Sequence, residues 1–440
     1  MRAIRTGILS ILLFTAMPAA YADLEISRDD YAEKLHGFWL GQSIANWTGI
    51  VTEMDKIGGE SVTHGVFYTR ESWGQPDMLN YFGVRTTHLS ETIDWVIRKP
   101  NEIWGADDDT DIEYIYQHLL STHKTTRLTG EQIRDGWITH IYDEKNSPLT
   151  NNWGMGENFL WVSNQIAHDL MLKGVVPPET SDPELNQFYD MIDAQLTTEI
   201  FGLYAPGRPD IALEMAHLPI RTTARNEAAL ASEYYIIMHA LAATVDPTEP
   251  MKPQVHSLAS QARAYLPDES TTAKMYDFVK SRYDAGVPWE QARDEVYKRY
   301  QIEEQDGYDI TSQGIYCNGC FAAGINYAAS IVSLLYGEGD FKETVKIAVL
   351  AGWDSDNPAA TWGGLLGFIY GREGIEEAFG RKFSDRYNIH RTRTGFPVPN
   401  GVDNFNDMAE TGVEIVDRVV VEEMGGEVKD GSWIIPLSAE

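Results

Sequence analysis

The chain is poor in cysteine and in positive charge. Its 440 residues hold two cysteines, Cys317 and Cys320. With no further Cys or suitably spaced His, they make a poor zinc site. Lysine and arginine total 35 against 66 aspartates and glutamates, a formal charge of −31. So acidic a surface argues against charge-driven binding to nucleic acid or to an anionic membrane. Beyond the first residues no apolar run is long enough to cross a bilayer. There is no Gly-x-Ser-x-Gly elbow, no His-Glu-x-x-His, no P-loop and no Gly-x-Gly-x-x-Gly. Those absences remove serine-hydrolase, zincin, P-loop and dinucleotide-binding readings.

What is present suits a large folded protein. The hydrophobic fraction is 43%, with 12 Trp, enough for a substantial core. Arg2, Arg5, the apolar run Gly7 to Met17 and the small residues of Ala20-Tyr21-Ala22 predict a cleavable signal peptide over 1–22,. The mature chain then starts near Asp23 in a periplasmic or secreted setting. In such a compartment Cys317 and Cys320 fit a tight disulfide; buried free thiols and a redox pair are the alternatives.

Apolar spacing predicts a mostly helical chain. The first helix covers Arg28–Ala45 and carries Gly37 and Gly41, four apart, which lets another segment come close. Further helices are expected over Leu89–Arg98, Thr110–His123, Glu131–Tyr142, Glu157–Leu172, Asp182–Phe201, Arg225–Ala243, His256–Tyr265, Ala273–Ala285, Glu290–Tyr300, Gly319–Tyr336, Phe341–Ala351 and Pro358–Tyr370. Residues 55–80 read as an irregular insertion, a candidate lid. The β-branched run Val413–Val421 and Ser432–Pro436 predict a small terminal sheet. The expected organisation is one helical domain over 23–410 and a β appendage over 411–440.

Two acidic clusters carry the chemistry. Asp107-Asp108-Asp109-Thr110 precedes one predicted helix. Asp354-Ser355-Asp356-Asn357-Pro358 precedes another, with Asn357 as a candidate cap and Pro358 as a first helical residue,. A cap needs one side chain, and a run of acids repels itself. Asp and Asn oxygens are the ligands hard divalent cations prefer. An EF-hand is excluded: its Gly and Glu would fall at Ala359 and Leu365. If the two loops meet, their carboxylates suffice for a pair of Mg²⁺ ions, with Mn²⁺ or Ca²⁺ as alternatives.

The pattern resembles the ADP-ribosylglycohydrolase family over about residues 29–385. Gly37-Phe38-Trp39-Leu40-Gly41-Gln42 matches its first motif. Asp107-Asp108-Asp109-Thr110 matches its Thr-Asp-Asp-Thr. Gly352-Trp353-Asp354-Ser355-Asp356-Asn357, then Gly363-Gly364-Leu365-Leu366-Gly367 and Tyr370-Gly371, match its C-terminal motif. The resemblance implies an all-α, orthogonal multi-helix bundle. It implies two Mg²⁺ held by Asp107, Asp108, Asp109, Asp354, Asp356 and Asn357; of these, Asp108 and Asp356 are also the candidate catalytic residues. It implies hydrolysis of a glycosidic bond at C1″ of ADP-ribose. Gly154 and Gly156 stand where the family's Gly-rich loop meets substrate.

On the metal side Asp107 and Asn357 each replace a Thr of the family pattern and still offer oxygen; the other departures lie on the substrate side. Gln42 replaces an Asp. The Glu that many members carry falls here at Gly49, and Glu53 is a candidate substitute. After Gly156 comes Glu157-Asn158-Phe159-Leu160-Trp161, which makes Glu157 a candidate catalytic acid. Trp104 and Trp353, beside the acidic loops, are candidate platforms for a sugar. Only Arg70, Arg85, Arg221 and Arg225 suggest themselves as phosphate partners. An exported acidic chain therefore fits a glycan, a sugar or a nucleoside better than ADP-ribosylated protein. An ADP-ribosyl hydrolase and a non-catalytic sugar- or metal-binding protein are the alternatives, as are acidic loops that hold Ca²⁺ for stability alone. Oligomeric state has no signature in the sequence.

Overall fold

The computed structural model describes residues 23–83, 89–143, 145–150, 154–309, 317 and 319–436. The predicted signal peptide and Arg85 lie outside them. Two long helices form the spine. Helix α1 (Arg28–Gly49) opens on Ser27, whose hydroxyl accepts from the Asp30 amide, an N-cap. Further along the chain come α2 (Asp108–His123), α3 (Gly130–His140), α4 (Val162–Met171), the single turn α5 (Ile200–Leu203), α6 (Pro209–Ile220), α7 (Asn226–Ala242), α8 (Met251–Tyr265), α9 (Thr271–Asp284), α10 (Trp289–Val296), α11 (Ala323–Gly337), α12 (Phe341–Ala351), α13 (Asp356–Phe379) and α14 (Phe405–Glu422). The all-α bundle expected from the sequence is what forms. No helix among the described residues is long and apolar enough to cross a membrane.

The spine is α1 against α13, and glycine sets their distance. A Cβ on Gly37 would lie 2.2 Å from the Gly367 carbonyl oxygen, and one on Gly41 would lie 2.3 Å from that of Gly363. Small residues on both faces therefore let the backbones touch, as the Gly37/Gly41 spacing predicts. This brings the C-terminal end of α1 beside the N-terminal end of α13.

Among the described residues, two three-stranded sheets flank the helices. Strands β1 (Leu24–Ser27), β5 (Glu427–Lys429) and β6 (Ser432–Ile435) pair antiparallel in the order β1-β6-β5. Strands β2 (Trp104–Gly105), β3 (Arg386–Asn388) and β4 (Val402–Asn404) form the other, with β2 parallel to β3. Cys317 and Cys320 are joined as a disulfide.

Several sequence expectations are corrected. Val413–Val421 is helical, inside α14. Its buried positions Phe405, Met408, Ala409, Gly412, Val413, Val416, Val419 and Val420 follow a helical stripe, with Ile415 buried beside it, and that pattern outweighs β-branched propensity. Leu89–Arg98 forms no helix: Ile93 exchanges backbone hydrogen bonds with residues 74–75 of the insertion (Gly74 N to Ile93 O, 2.8 Å; Ile93 N to Gln75 O, 2.9 Å). Most of Asp182–Phe201 is irregular, because its buried side chains compete for the backbone; Asn186 donates to the Ser163 and Thr180 carbonyls. Helix α4 starts at Val162, so Glu157 opens no helix. Helix α13 starts at Asp356, so Asn357 is not its cap.

Candidate functional site

Three chain segments converge where α1 ends and α2 and α13 begin. Asp107 is the N-cap residue of α2, and its amide donates to Thr110 Oγ1 at 3.1 Å. Helix α2 thus opens earlier than the sequence suggested. On the other side, α12 ends at Gly352 with φ of 103°, followed by Trp353 with φ of 56°. A Cβ on Gly352 would lie 2.6 Å from the Lys56 carbonyl oxygen. The Trp353 amide donates to that same oxygen at 2.7 Å, and the Met54 amide donates to the Trp353 carbonyl at 2.8 Å. This short backbone exchange seats Glu53 beside Asp354 and Asp356.

The two acidic loops meet. Asn357 Nδ2 donates to Asp109 Oδ1 at 3.3 Å. Asn46 Nδ2, from α1, lies 3.3 Å from Asp107 Oδ2 and 3.4 Å from Asp109 Oδ2. Glu53, Asp354 and Asp356 each offer an oxygen within 4.8 Å of the others, and so do Asp107, Asp108 and Asp109. Asp109, Asp354, Asp356 and Asn357 form a buried floor, while Glu53 and Asp108 are half-buried at the mouth. Asp356 Oδ1, Asn357 Oδ1 and Asn46 Oδ1 are buried and have no hydrogen-bond partner. Buried acceptors without a donor are costly. A basin of hard oxygens with such vacant lone pairs fits Mg²⁺, Mn²⁺ or Ca²⁺.

Electrostatics agrees with the geometry. Burial, then like charge, pushes Glu53, Asp108, Asp109 and Asp354 well above the usual carboxylate range. Asp356 is raised to about 7, chiefly by burial and then by Asp107. The N-termini of α2 and α13 each supply only about half a positive charge, too little to hold six carboxylates together without protons or cations.

Raised carboxylates favour the fold when protonated, so their contribution is full at acidic pH and is lost as pH rises through the folded-state value. In a chelator the melting temperature is therefore expected to fall between about pH 5 and 8. Mg²⁺ is expected to flatten most of that slope. A residue of it persists, because Asp55, raised to about 8, and Glu199, raised to about 7, lie outside the basin and are raised first by burial. Differential scanning fluorimetry at several pH values with EDTA or Mg²⁺ reads both; an apo protein that grows more stable towards pH 8 would contradict the carboxylate basin.

The remaining candidates divide. Trp104 and Trp353 are corrected: both are 0% exposed. Their indole N–H groups donate to the Ser384 carbonyl and to Gln301 Oε1, each at 2.8 Å. They are core residues and offer no face to a sugar. Gly154, with φ of 77°, is exposed, and Gly156 is half-buried in the same loop. Glu157 is half-buried, and its Oε1 accepts from the Phe159 amide at 3.0 Å. Arg70 pairs with Glu343 and Arg221 with Glu233, while Arg225 bonds Ser181 and the Pro178 carbonyl. These three arginines are committed elsewhere.

Sequence reasoning missed Arg391 and Arg393. Arg391 ion-pairs with Asp107 at 3.1 Å, and Arg393 with Asp111 at 2.9 Å, the latter with both side chains fully buried. Neither lies in a motif; only the tertiary fold brings them to the acids.

A model of the ADP-ribosylglycohydrolase family matches residues 27–400. No curated protein matches the chain as a relative. Among solved structures, an "ADP-ribosylglycohydrolase-related protein complex" aligns with a TM-score of 0.48 and 14% identity, over 88% of this chain and 98% of that one.

Proposed function

This chain belongs to the ADP-ribosylglycohydrolase family, and from that premise we propose that it is an exported, metal-dependent hydrolase cleaving a glycosidic bond in a glycan, a sugar or a nucleoside. One observation carries the metal reading: two carboxylate triads from distant loops share a basin in which the buried oxygens Asp356 Oδ1, Asn357 Oδ1 and Asn46 Oδ1 lack donors. Asp107, Asp108, Asp109, Asp354, Asp356, Asn357 and Glu53 line the basin that would hold the cations. Divalent cations bound there supply Lewis acidity and concentrated positive charge.

The chain's own residues do the rest. The floor residues Asp109, Asp356 and Asn357 orient; the mouth residue Asp108 is the carboxylate that an entering substrate meets first. Glu157 sits on the adjoining loop as a candidate proton carrier. At the end of that loop Trp161 is 43% exposed, and it replaces the buried Trp104 and Trp353 as the aromatic face open to a sugar. A neutral substrate is favoured because Arg391, the cation bonded to the basin, is already taken by Asp107. The family match itself favours the second reading, an ADP-ribosyl hydrolase.

The test is turnover by metal-free protein of a panel of aryl glycosides, nucleosides and an ADP-ribosylated peptide, with EDTA, Mg²⁺, Mn²⁺ or Ca²⁺ added. The expected result is cleavage of a neutral glycoside or nucleoside that EDTA abolishes and Mg²⁺ or Mn²⁺ restores. Cleavage confined to the ADP-ribosylated peptide would select the second reading. Stabilisation by Ca²⁺ with no turnover would make the basin structural.

A further inference from the structure

Among the described acids of the basin, Asp107 is the one that ion-pairs with an arginine. Its Oδ1 accepts from Arg391 Nη1 at 3.1 Å and its Oδ2 from Asn46 Nδ2 at 3.3 Å. Asp109 also has a donor at each oxygen, but both are neutral amides, those of Asn357 and Asn46, and Asp356 Oδ1 has none; among the described basin acids it is Asp107 that is met by a full positive charge. Arg391 also donates to the Ala106 carbonyl at 2.6 Å, which fixes its guanidinium at the α2 N-terminus. The guanidinium lies 5.2 Å from the Trp47 ring and 5.3 Å from the Phe159 ring, and a cation at that range over an aromatic face is attracted to it. The seat is made by Gly105: a Cβ there would lie 2.6 Å from Arg391 Cδ and 2.7 Å from the Trp47 ring.

The Phe159 side of this contact is strained. Phe159 has φ of 54°, and Val162, three residues on, has φ of 23°. Bulky and β-branched residues avoid that region, and such strain persists only where surrounding contacts over-determine it. Here Arg391 holds the Phe159 ring. Arg393 accepts no compromise in position either: it donates to the Asn158 and Phe159 carbonyls at 2.8 and 2.9 Å.

On the reading that the basin binds cations, we infer that Arg391 is a positioning residue which neutralises Asp107, withdraws it from the cation ligands, and pins the 154–161 loop against the basin. The remaining acids, Asp108, Asp109, Asp354, Asp356 and Glu53, with Asn357, are then the ligand set. The same guanidinium couples the charge of the basin to the conformation of the substrate-side loop.

The test needs no substrate. Mn²⁺ binding to metal-free protein is titrated by electron paramagnetic resonance, and hydrogen exchange of the 154–161 peptide is followed by mass spectrometry. Arg391→Met removes a positive charge beside the basin, so Mn²⁺ is expected to bind about fivefold tighter or more. Asp107→Asn is expected to weaken binding by a similar factor, and the double variant to return to within about twofold of wild type. Exchange over 154–161 is expected to quicken about tenfold in Arg391→Met and in the double variant, but not in Asp107→Asn. Arg391→Lys, retaining the charge without the planar fork, is expected to keep Mn²⁺ affinity and still quicken exchange; it stands in should Arg391→Met fail to fold. Unchanged exchange in the Arg391 variants, or weaker Mn²⁺ binding in Arg391→Met, would overturn the inference. A wild-type protein that takes up no Mn²⁺ would instead remove the cation reading and with it Asp107's withdrawal, leaving the exchange arm to decide the pin.

Discussion

Asp356→Asn is expected to lower kcat/KM by about three orders of magnitude while raising the melting temperature in chelator by roughly 2 °C. The two effects have one cause. Asp356 is 3% exposed, and its Oδ1 meets no donor. Burial and Asp107 raise it to about 7. In the metal-free protein at pH 8 it is a buried negative charge among five other carboxylates. Asparagine keeps the shape and the Oδ1 acceptor but drops the charge, so the apo fold loses repulsion. A divalent cation, however, is held by charge as well as by oxygen geometry, and a neutral amide is a poor substitute. Mg²⁺ should therefore stabilise the wild type and leave the variant unmoved. Steady-state kinetics with scanning fluorimetry, each in EDTA and in Mg²⁺, separates the outcomes. A variant both inactive and less stable in chelator would show Asp356 to be a structural hydrogen-bonding group.

Glu113 and Glu199 mark the boundary of that argument. They too are fully buried and raised first by burial. Yet they are supplied with donors: Gln42 and the Ile200 amide reach Glu113, and Thr361 and the Thr198 amide reach Glu199. A carboxyl pair with donors of its own ties α2, α13 and the segment before α5 together without any cation. Buried acid alone thus does not define the basin; the gathering of two carboxylate triads, with Asp356 Oδ1 unanswered, does.

The acidic loops were legible in the sequence because each is a local run, and a run of acids at a helix start has few structural uses. The Gly37/Gly41 pair was legible for a similar reason: its spacing announces a close approach, and the partners proved to be Gly363 and Gly367. Glu53 was only half legible. Its place depends on the Trp353 backbone pairing with residues 54 and 56, across about three hundred residues of chain. Arg391 and Arg393 were not legible at all, since nothing local distinguishes an arginine that will neutralise a distant aspartate. Where local propensity misled, as over Val413–Val421 and Leu89–Arg98, the decisive partners were again remote. The core stripe of α14 decided the first, and the backbone of the 55–80 insertion the second. Trp104 and Trp353 failed as sugar platforms on the same account, because adjacency to an acidic loop says nothing about which way an indole is buried.

Gly41→Ala carries the largest effect expected on the fold. Helix propensity alone would reward the change by about 1 kcal/mol. Against it stands a Cβ placed 2.3 Å from the Gly363 carbonyl oxygen and 2.9 Å from Gly367 Cα. Both obstacles are backbone, so no side chain can swing aside and the helices must part. Overpacking of this kind outweighs propensity, and a net loss of about 3 kcal/mol is expected. The site suffers with the spine. Asn46 follows Gly41 by little more than a helical turn, and Gly363 lies two turns along α13 from Asp356. Parting the helices draws Asn46 away from Asp107 and Asp109. Gly49→Ala provides the contrast, because there the added Cβ would lie 2.3 Å from Asp356 Cα itself. It should weaken Mn²⁺ binding out of proportion to its cost in stability, whereas Gly41→Ala should lose stability first. Urea unfolding followed by circular dichroism, alongside Mn²⁺ titration, orders the two variants. If Gly41→Ala unfolds within about 0.5 kcal/mol of wild type, α1 and α13 do not touch through their glycines, and the carboxylates are held together by something other than the spine.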